Sequence, residues 1–437
     1  MAVQTARGAP LGEQARVEAL DVTRGAAVLG ILLMNIWAFA GPQAIFDYPL
    51  AAAGQAGAPV LTWAVINTLF EGSQRALFSL LFGAGMLLMI QRLEAAGPAL
   101  RPGRIYYRRI GLLILIALFD AFVLLWPADI LLSYALCGLL LYPLRRLNAR
   151  WLLLLAVLVM ALSAGLRYQD LGESRQLAAD YQEIETARAA GIEPDETALQ
   201  VISDWERIER RARPDLSAED VQESIRITSS GSFGEFYIER ATTSLVLQLI
   251  VAPRAWYLDA LAVMLLGMAA LRAGLLTLGW STRALVVMTV LGYAIGLPLS
   301  FRESWILLAS DFDPLVARQL LLTYDLQRLG LAAGHLGLLL LLCRAGAAAG
   351  VRRRLAAAGR MALSNYLMHS LLCGLIFYTV GLGLYGRFTG YYLYIVVALV
   401  WALQLYLSPW WLARYRFGPA EWLWRSLTYG QRQPLRR

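Results

Sequence analysis

Apolar runs separated by short arginine-bearing breaks cover most of this chain. Ten of them approach the ~20 residues with which a helix crosses the hydrocarbon of a bilayer. They fall at roughly 26–41, 60–91, 107–126, 130–146, 150–166, 256–273, 283–300, 328–343, 361–385 and 391–411. The pattern predicts an all-α protein, a polytopic membrane bundle of about ten transmembrane helices. The second run is long for one crossing and is expected to tilt or bend near Gly72.

Between the fifth and sixth runs the pattern changes. Arg167 to Arg254 holds 17 acidic residues and 10 arginines. Two stretches there, SRQLAADYQEIETARAA and ETALQVISDWERIERRA, interleave acid and base at helical spacing, and Ser217 with Glu219 and Asp220 resembles a helix start. From Ser229 the chain turns amphipathic, as expected of a return along the membrane surface. The expected division is a five-helix membrane bundle at 1–166, a charged helical extracytoplasmic insert at 167–255, and five further helices with an interfacial end at 256–437. The insert reads as a solvated cap or partner-docking surface.

Composition agrees with the pattern. The chain of 437 residues is 58% hydrophobic and 16% charged, with mean hydropathy +0.54. That balance excludes a soluble globular domain. All 39 basic residues are arginine. Placing the N-terminus inside puts 24 arginines on inner flanks, against Arg302, Arg318 and Arg387 in short outer loops. This asymmetry predicts both termini in the cytoplasm and an even number of spans. Residues 1–19 lack the apolar core of a signal peptide, so the first helix is expected to stay as an anchor. Cys137, Cys343 and Cys373 lie in apolar runs without metal-ligand spacing and read as small buried hydrophobes.

Polar groups inside apolar runs are costly and therefore informative. In LDVTRGAAVLGILLMN, Leu20 to Asn35, Asp21 and Arg24 are three apart. Asn35 follows Arg24 by eleven residues, which returns it to nearly the same helix face ~16 Å deeper. Glu71 and Arg75, four apart, are placed to neutralise one another. Asp120 ends the third run and Asp129 follows the Trp126-Pro127 break. His335 lies between small residues and suits an interhelical hydrogen bond. His369, with Ser364, Asn365 and Tyr366 a turn earlier, forms a polar stripe rising from Arg360. Two histidines in separate helices do not argue for a metal site, and no P-loop motif occurs. The arginines flank membrane helices, which points to lipid head groups or an anionic small molecule and away from nucleic acid. Trp422, Trp424 and Arg425 fit an interfacial helix after Gly418-Pro419.

Several of these stretches carry a resemblance. LD-x-x-RG followed by an apolar run is similar to the first membrane helix of the YeiB family (domain of unknown function 418), of the acyltransferase-3 family and of the heparan-alpha-glucosaminide N-acetyltransferase family. GRMALSNYL from Gly359 and RFGPAEWLWRSLTYGQRQPLR from Arg416 resemble the YeiB family's closing motifs. FEGSQRALFSLLFGAG from Phe70, DILLSYALCGLLL from Asp129 and LDALAVMLLGMAALRAG from Leu258 resemble it in chain order. On these motifs the chain is identified as a YeiB-family member, which implies a bacterial inner-membrane location. It departs from the family at Asp120, where a histidine is common, and at His369, where glutamine is common. Asn35 stands where the heparan family has asparagine and the acyltransferase-3 family its catalytic histidine. Phe46 stands where the heparan family has its essential histidine.

The resemblance implies one function and the residues leave others open. As an acyltransferase, the protein would take acyl-CoA as donor substrate, with Arg108, Arg109 and Arg360 on its phosphates. Arg24 and Asn35 would polarise the acyl carbonyl, and His369 or Asp120 would act as base. Asp21, Glu71, Arg75, Asp129, His335, Ser364, Asn365 and Tyr366 would line a polar cavity. The same buried charges would suit a transporter or flippase of a small or lipidic solute. The insert would suit a non-catalytic assembly or sensory protein. Expected partners are membrane lipids and a small-molecule or lipid-linked substrate, with self-association left open.

Overall fold

The computed structural model describes residues 13–42, 44–45, 48–50, 57–96 and 101–437. Among these the chain is helical without strands, apart from an isolated bridge between Tyr415 and Arg436. The membrane part begins with α1 (Glu13–Ala40), α2 (Ala58–Phe70), α3 (Ser73–Ala95), α4 (Pro102–Phe122) and α5 (Leu131–Leu144). The second apolar run breaks where expected. Gly72 sits at φ 66°, in the left-handed region, and separates α2 from α3.

The helix α6 (Ala149–Ala189) is started by Asn148, whose side chain accepts from the Trp151 amide at 3.1 Å. It runs unbroken for 41 residues, so the fifth apolar run passes into the charged segment as one rod. There follow α7 (Glu196–Ala212), capped by Asp195, and α8 (Glu219–Ser230). Glu219 and Asp220 do occupy the first turn of α8. Ser217 does not cap it, because its hydroxyl is held by Asp215 at 2.7 Å.

The stretch after Ser229 is helical. A capping box of Ser232 and Glu235 starts α9 (Phe233–Val246), and the helix continues through a π turn to Ala255. It then bends by 58° into α10 (Tyr257–Arg272). On the way Ser244 donates to the Ala121 carbonyl at 3.2 Å, and Gln248 to the Asp129 carbonyl at 2.7 Å. These buried polar contacts hold the segment against α4 and the turn that follows it. The chain ends with α11 (Thr282–Ala309), α12 (Pro314–Leu320), α13 (Tyr324–Ala345), α14 (Ala349–Arg360), α15 (Ala362–Phe377), α16 (Tyr391–Leu412) and α17 (Pro419–Tyr429).

Six segments are long and apolar enough to cross a membrane: α1, α2 with α3, α6, α11, α13 and α16. The pair of α9 and α10, bent by 58°, passes the same test only when taken as one segment, which brings the number to six or seven. The protein is therefore a multi-pass membrane protein, with fewer spans established by length and composition than the ten expected. The shortfall has a physical origin. Helices α5 and α15 have 14 and 16 residues, or ~21 and ~24 Å at 1.5 Å per residue, short of a ~30 Å hydrocarbon layer. Helix α4 carries Arg104, Arg108, Arg109 and Asp120.

Helices from before the insert pack on helices from after it. Lipid tails give no hydrophobic drive to such contacts, so close packing must supply them. Gly83 on α3 faces the Met264 backbone of α10, and Gly267 on α10 faces the Leu80 backbone of α3; a Cβ at either position would collide with a carbonyl. Gly25 on α1 and Gly359 on α14 make the same backbone-to-backbone approach. Gly267→Leu should force α3 and α10 apart. Overpacking of this kind costs ~1–3 kcal/mol or more. Fluorescence-detected size exclusion of the detergent-extracted protein should show folded yield reduced several-fold, with Gly111→Leu, which faces open space, near the parent.

Candidate functional site

Two cavities lie toward opposite ends of α1 and α3. The first, of about 830 Å³, is at the arginine-rich end. Helix α1 contributes Asp21 and Arg24, paired at 3.3 Å. The crossing at Gly25 and Gly359 presses α14 onto this turn and brings Arg360 to the rim. Helix α3 adds Arg92, α4 adds Arg109, and α17 adds Glu421, Trp424 and Arg425. The Arg109 guanidinium stacks 3.6 Å from the Trp424 ring centre, while the indole N–H donates to the Arg109 carbonyl at 3.0 Å. Five arginines thus face two carboxylates in a cleft whose deeper walls are Phe78, Phe82, Met86 and Leu113. Low-dielectric walls concentrate that positive potential on whatever enters.

Helix α17 is docked by chemistry as well as by rings. The Glu421 carboxylate accepts from the Ser364 amide at 3.0 Å and the Ser364 hydroxyl at 2.5 Å. It therefore sits at the N-terminal end of α15, where free amides and the helix dipole favour an anion.

At the inner end of this cavity is Tyr366. Its hydroxyl donates to Asp129 at 3.0 Å and accepts from the Ile130 amide at 3.2 Å. Asp129 also accepts from the Leu131 and Leu132 amides, both at 3.1 Å, and so opens α5. Behind it Asp120 is wholly buried beside Asp129 and Ser370, with neither carboxylate oxygen hydrogen-bonded among the described residues. Asp21, Arg24, Arg109, Arg360 and Tyr366 thus share one chamber, with Asp129 and Asp120 stacked behind its end wall.

Other expected site residues fall elsewhere. Asn35 is half-buried and lines neither cavity. Eleven residues carry it too far along α1 from the cavity at Arg24. His369 is buried between α15 and α16, with its Nε2 3.0 Å from the Gln404 side-chain oxygen. Gln404 in turn donates to the Asn365 carbonyl at 2.9 Å. The ring so held lies outside the lining of the chamber. Asn365 donates to the Ala358 carbonyl and to Ser408, and Ser364 is taken up by Glu421. His335 bridges helices as its surroundings suggested. The Leu69 carbonyl only accepts, so Nε2 carries the proton at 2.9 Å, and Nδ1 accepts from Tyr293 at 2.9 Å. Arg108 is exposed against Gly430, outside the cavity lining. Phe46 lies outside the described residues.

The second cavity, of about 900 Å³, holds Glu71 and Arg75. They do not pair directly, because the break at Gly72 removes the helical geometry that four-residue spacing assumes. Tyr324 stands between them. Arg75 donates to its hydroxyl at 2.8 Å, and the hydroxyl lies 3.3 Å from Glu71. Arg75 also lies 3.4 Å from Asp259, which forms a buried ion pair with Arg328. Arg328 reaches Asp325 at 2.6 Å, and Asp325 reaches Arg167 at 3.0 Å. Asp259, Tyr324 and Arg328 were not singled out from the sequence, nor were Glu421 and Arg92 at the other end, and Arg425 was read only as part of an interfacial helix. A carboxylate opening LDALAVMLL and an arginine inside the run at 328 were available signals, since a charge inside an apolar run requires a partner.

This arrangement defines a multi-pass helical membrane protein with one cationic and one mixed-charge cavity. Residues 270–431 match the family described as "Protein of unknown function (DUF418)". The chain is 30% identical to the uncharacterised protein YeiB of Escherichia coli (strain K12), over 94% of this chain and 95% of that one. It is 28% identical to the uncharacterised protein YxaH of Bacillus subtilis (strain 168), over 96% of each. No solved structure matches it. The chain belongs to the YeiB (DUF418) family.

Burial holds the Glu421 carboxyl above its ordinary range, although the Ser364 donors pull it partly back. A carboxyl with a higher pKa folded than unfolded stabilises docking fully below its unfolded value. That contribution is lost as pH rises through the folded value. Hydrogen exchange across 419–429 should therefore speed up with rising pH beyond intrinsic exchange, and this excess should vanish in Glu421→Gln.

Proposed function

We propose that the protein is a membrane-embedded acyltransferase that takes an acyl-CoA-type donor from the cytoplasm. The observation that carries this reading is the convergence of Arg24, Arg92, Arg109, Arg360 and Arg425 on one apolar-walled cavity ending at Tyr366. Arginines at the mouth suit the donor's phosphates, where bidentate guanidinium contacts are strongest. The apolar walls suit its arm and acyl chain. The thioester would then lie at Tyr366, whose hydroxyl would turn from Asp129 to donate to the carbonyl oxygen as negative charge develops there. An acceptor hydroxyl or amine attacks the thioester carbon and the C–S bond breaks. The acceptor's proton passes to the carboxylate pair behind Tyr366 and then to the CoA thiolate. The acceptor is a membrane or extracytoplasmic molecule.

In this reading α4, α5 and α15 also cross, which with the seven apolar segments gives ten spans in a bacterial inner membrane. The arginine-rich ends and both termini then face the cytoplasm. The segments beyond α6 form an extracytoplasmic insert.

Incubation of the purified protein with acyl-labelled acetyl-CoA and membrane extract should transfer label to a product. Absence of both transfer and CoA binding would end the reading. Arg109→Ala and Arg360→Ala should each weaken CoA binding about tenfold, the equivalent of ~1.4 kcal/mol. Tyr366→Phe should slow transfer by on the order of 100-fold with little change in CoA affinity, whereas His369→Gln should leave the rate within a few-fold of the parent. A second reading, transport, is favoured by the two cavities facing opposite ends, with only the turn from Arg75 to Phe78 between their linings along α3. Substrate-dependent proton flux in vesicles without label transfer would select it.

A further inference from the structure

Behind Tyr366 the bundle holds more hydrogen-bond acceptors than donors. Asp129 is well supplied, since its carboxylate takes the Tyr366 hydroxyl at 3.0 Å and the Leu131 and Leu132 amides, both at 3.1 Å. Asp120 lies within hydrogen-bonding reach of it, across the turn that joins α4 to α5. It is 0% exposed, and both of its carboxylate oxygens are buried without a partner among the described residues. The Gln248 side-chain oxygen is another orphan acceptor close by, because its amide end is spent on the Pro127 and Asp129 carbonyls at 3.2 and 2.7 Å. No cation makes up this deficit. Arg240, two turns before Gln248, is turned to the Tyr378 hydroxyl. The arginines of the cationic cavity line a space that neither aspartate lines. On α5, Tyr134 and Cys137 are committed to Ser79 and the Tyr257 carbonyl, and on α15 His369 is held by Gln404.

An ionised carboxylate at Asp120 would give up its hydration and gain neither a donor nor a counter-ion, which is prohibitively costly. A neutral carboxylic acid instead has one O–H to donate. The neighbour able to accept it is Asp129, where three of about four lone-pair sites are used. A metal ion would also supply positive charge, but it needs several oxygen ligands converging at short range. Among the described residues no third acid, histidine or cysteine joins the pair. We propose that Asp120 is held as a carboxylic acid donating to an ionised Asp129, so that the two form a proton site with a single negative charge. Two carboxyls in different hydrogen-bonding surroundings thereby divide their roles. Asp120 stores a proton, and Asp129 stays open to a second one when chemistry at Tyr366 releases it. Asp120 touches no substrate and is a positioning residue that keeps its partner ionised. Only the use of the pair rests on the acyl-transfer reading, in which the second proton comes from the acceptor and goes on to the CoA thiolate. The state of the pair does not.

The test is infrared difference spectroscopy of the full-length protein in detergent at neutral pH, with ordinary aspartate and with aspartate carrying a heavy carbon at its side-chain carboxyl. The parent should show the C=O stretch of a protonated carboxyl that shifts with the label, which separates it from any protonated glutamate. Asp120→Asn, the uncharged isostere, should lose that band while keeping the parent's melting temperature. Asp129→Asn should retain it at a shifted frequency, since Asp120 then meets a different acceptor. Should Asp120→Asn fail to fold, Asp120→Glu decides, because its band should persist and no longer respond to the label. Absence of a label-sensitive band from the folded parent, or its survival in Asp120→Asn or label-sensitive in Asp120→Glu, would overturn the proposal. Loss of the band on adding sodium chloride would overturn it in favour of a metal site. A band in place in a protein that neither binds CoA nor transfers label would end the acyltransferase reading and leave the proton site standing.

Discussion

The buried ion pair between Asp259 and Arg328 is the contact on which the rest of the bundle leans. Asp259 stands at the start of α10 and Arg328 near the start of α13, while Arg75 reaches the same carboxylate from α3. Three helices distant in sequence are thereby tied at one depth. A guanidinium that is almost wholly buried is held at a cost of several kcal/mol unless paired and hydrogen-bonded. That penalty fixes the relative placement of the three helices more sharply than apolar contact among lipid-like side chains. The glycine crossings then set how closely those helices approach once the ions have set their register.

The same ties explain why two cavities coexist. Helix α3 is gripped by α10 through Gly83 and Gly267, and its N-terminal turn is held through Arg75 by Asp259 of α10 and Tyr324 of α13. The middle of α3 is consequently packed, with Ser79 and Tyr134 joined at 2.5 Å and Phe78 lying beside Tyr134. The two cavities lie beyond that plug, at the arginine-rich end and at the opposite one. Each space takes its character from the charges nearest it: five arginines against two carboxylates at one end, and four of each at the other.

Much of this was legible in the chain and some was not, for physical reasons. Apolar runs locate helices well because burial against lipid requires them. The break at Gly72, the bridging place of His335 and the gathering of Asp21, Arg24, Arg109 and Arg360 were all readable. Helical spacing misled wherever the backbone departed from a continuous helix, as at Glu71 and Arg75, or where a polar residue met a partner from a distant segment. His369 meets Gln404, a partner 35 residues away that spacing along its own helix does not reveal. Glu421 could not be placed from sequence, since its partner at the start of α15 is a property of how α17 folds back. The amphipathic look of the segment after Ser229 reflects a helix that faces α4 on one side, a pattern shared with a helix lying on a membrane.

Helix α6 has a mechanical consequence. Its 41 residues extend for ~61 Å at 1.5 Å per residue, about twice the ~30 Å of hydrocarbon. The remainder is a stiff mast rising from the bilayer, with α7 folded back along it through contacts such as that of Tyr181 with Trp205. No hinge separates mast from root, so a 10° rocking of the buried half would sweep the tip sideways by ~5 Å, given a ~30 Å overhang. A load applied to the acidic segments beyond α6 would be felt at Ser163 and Arg167, where the same rod forms a wall of the second cavity.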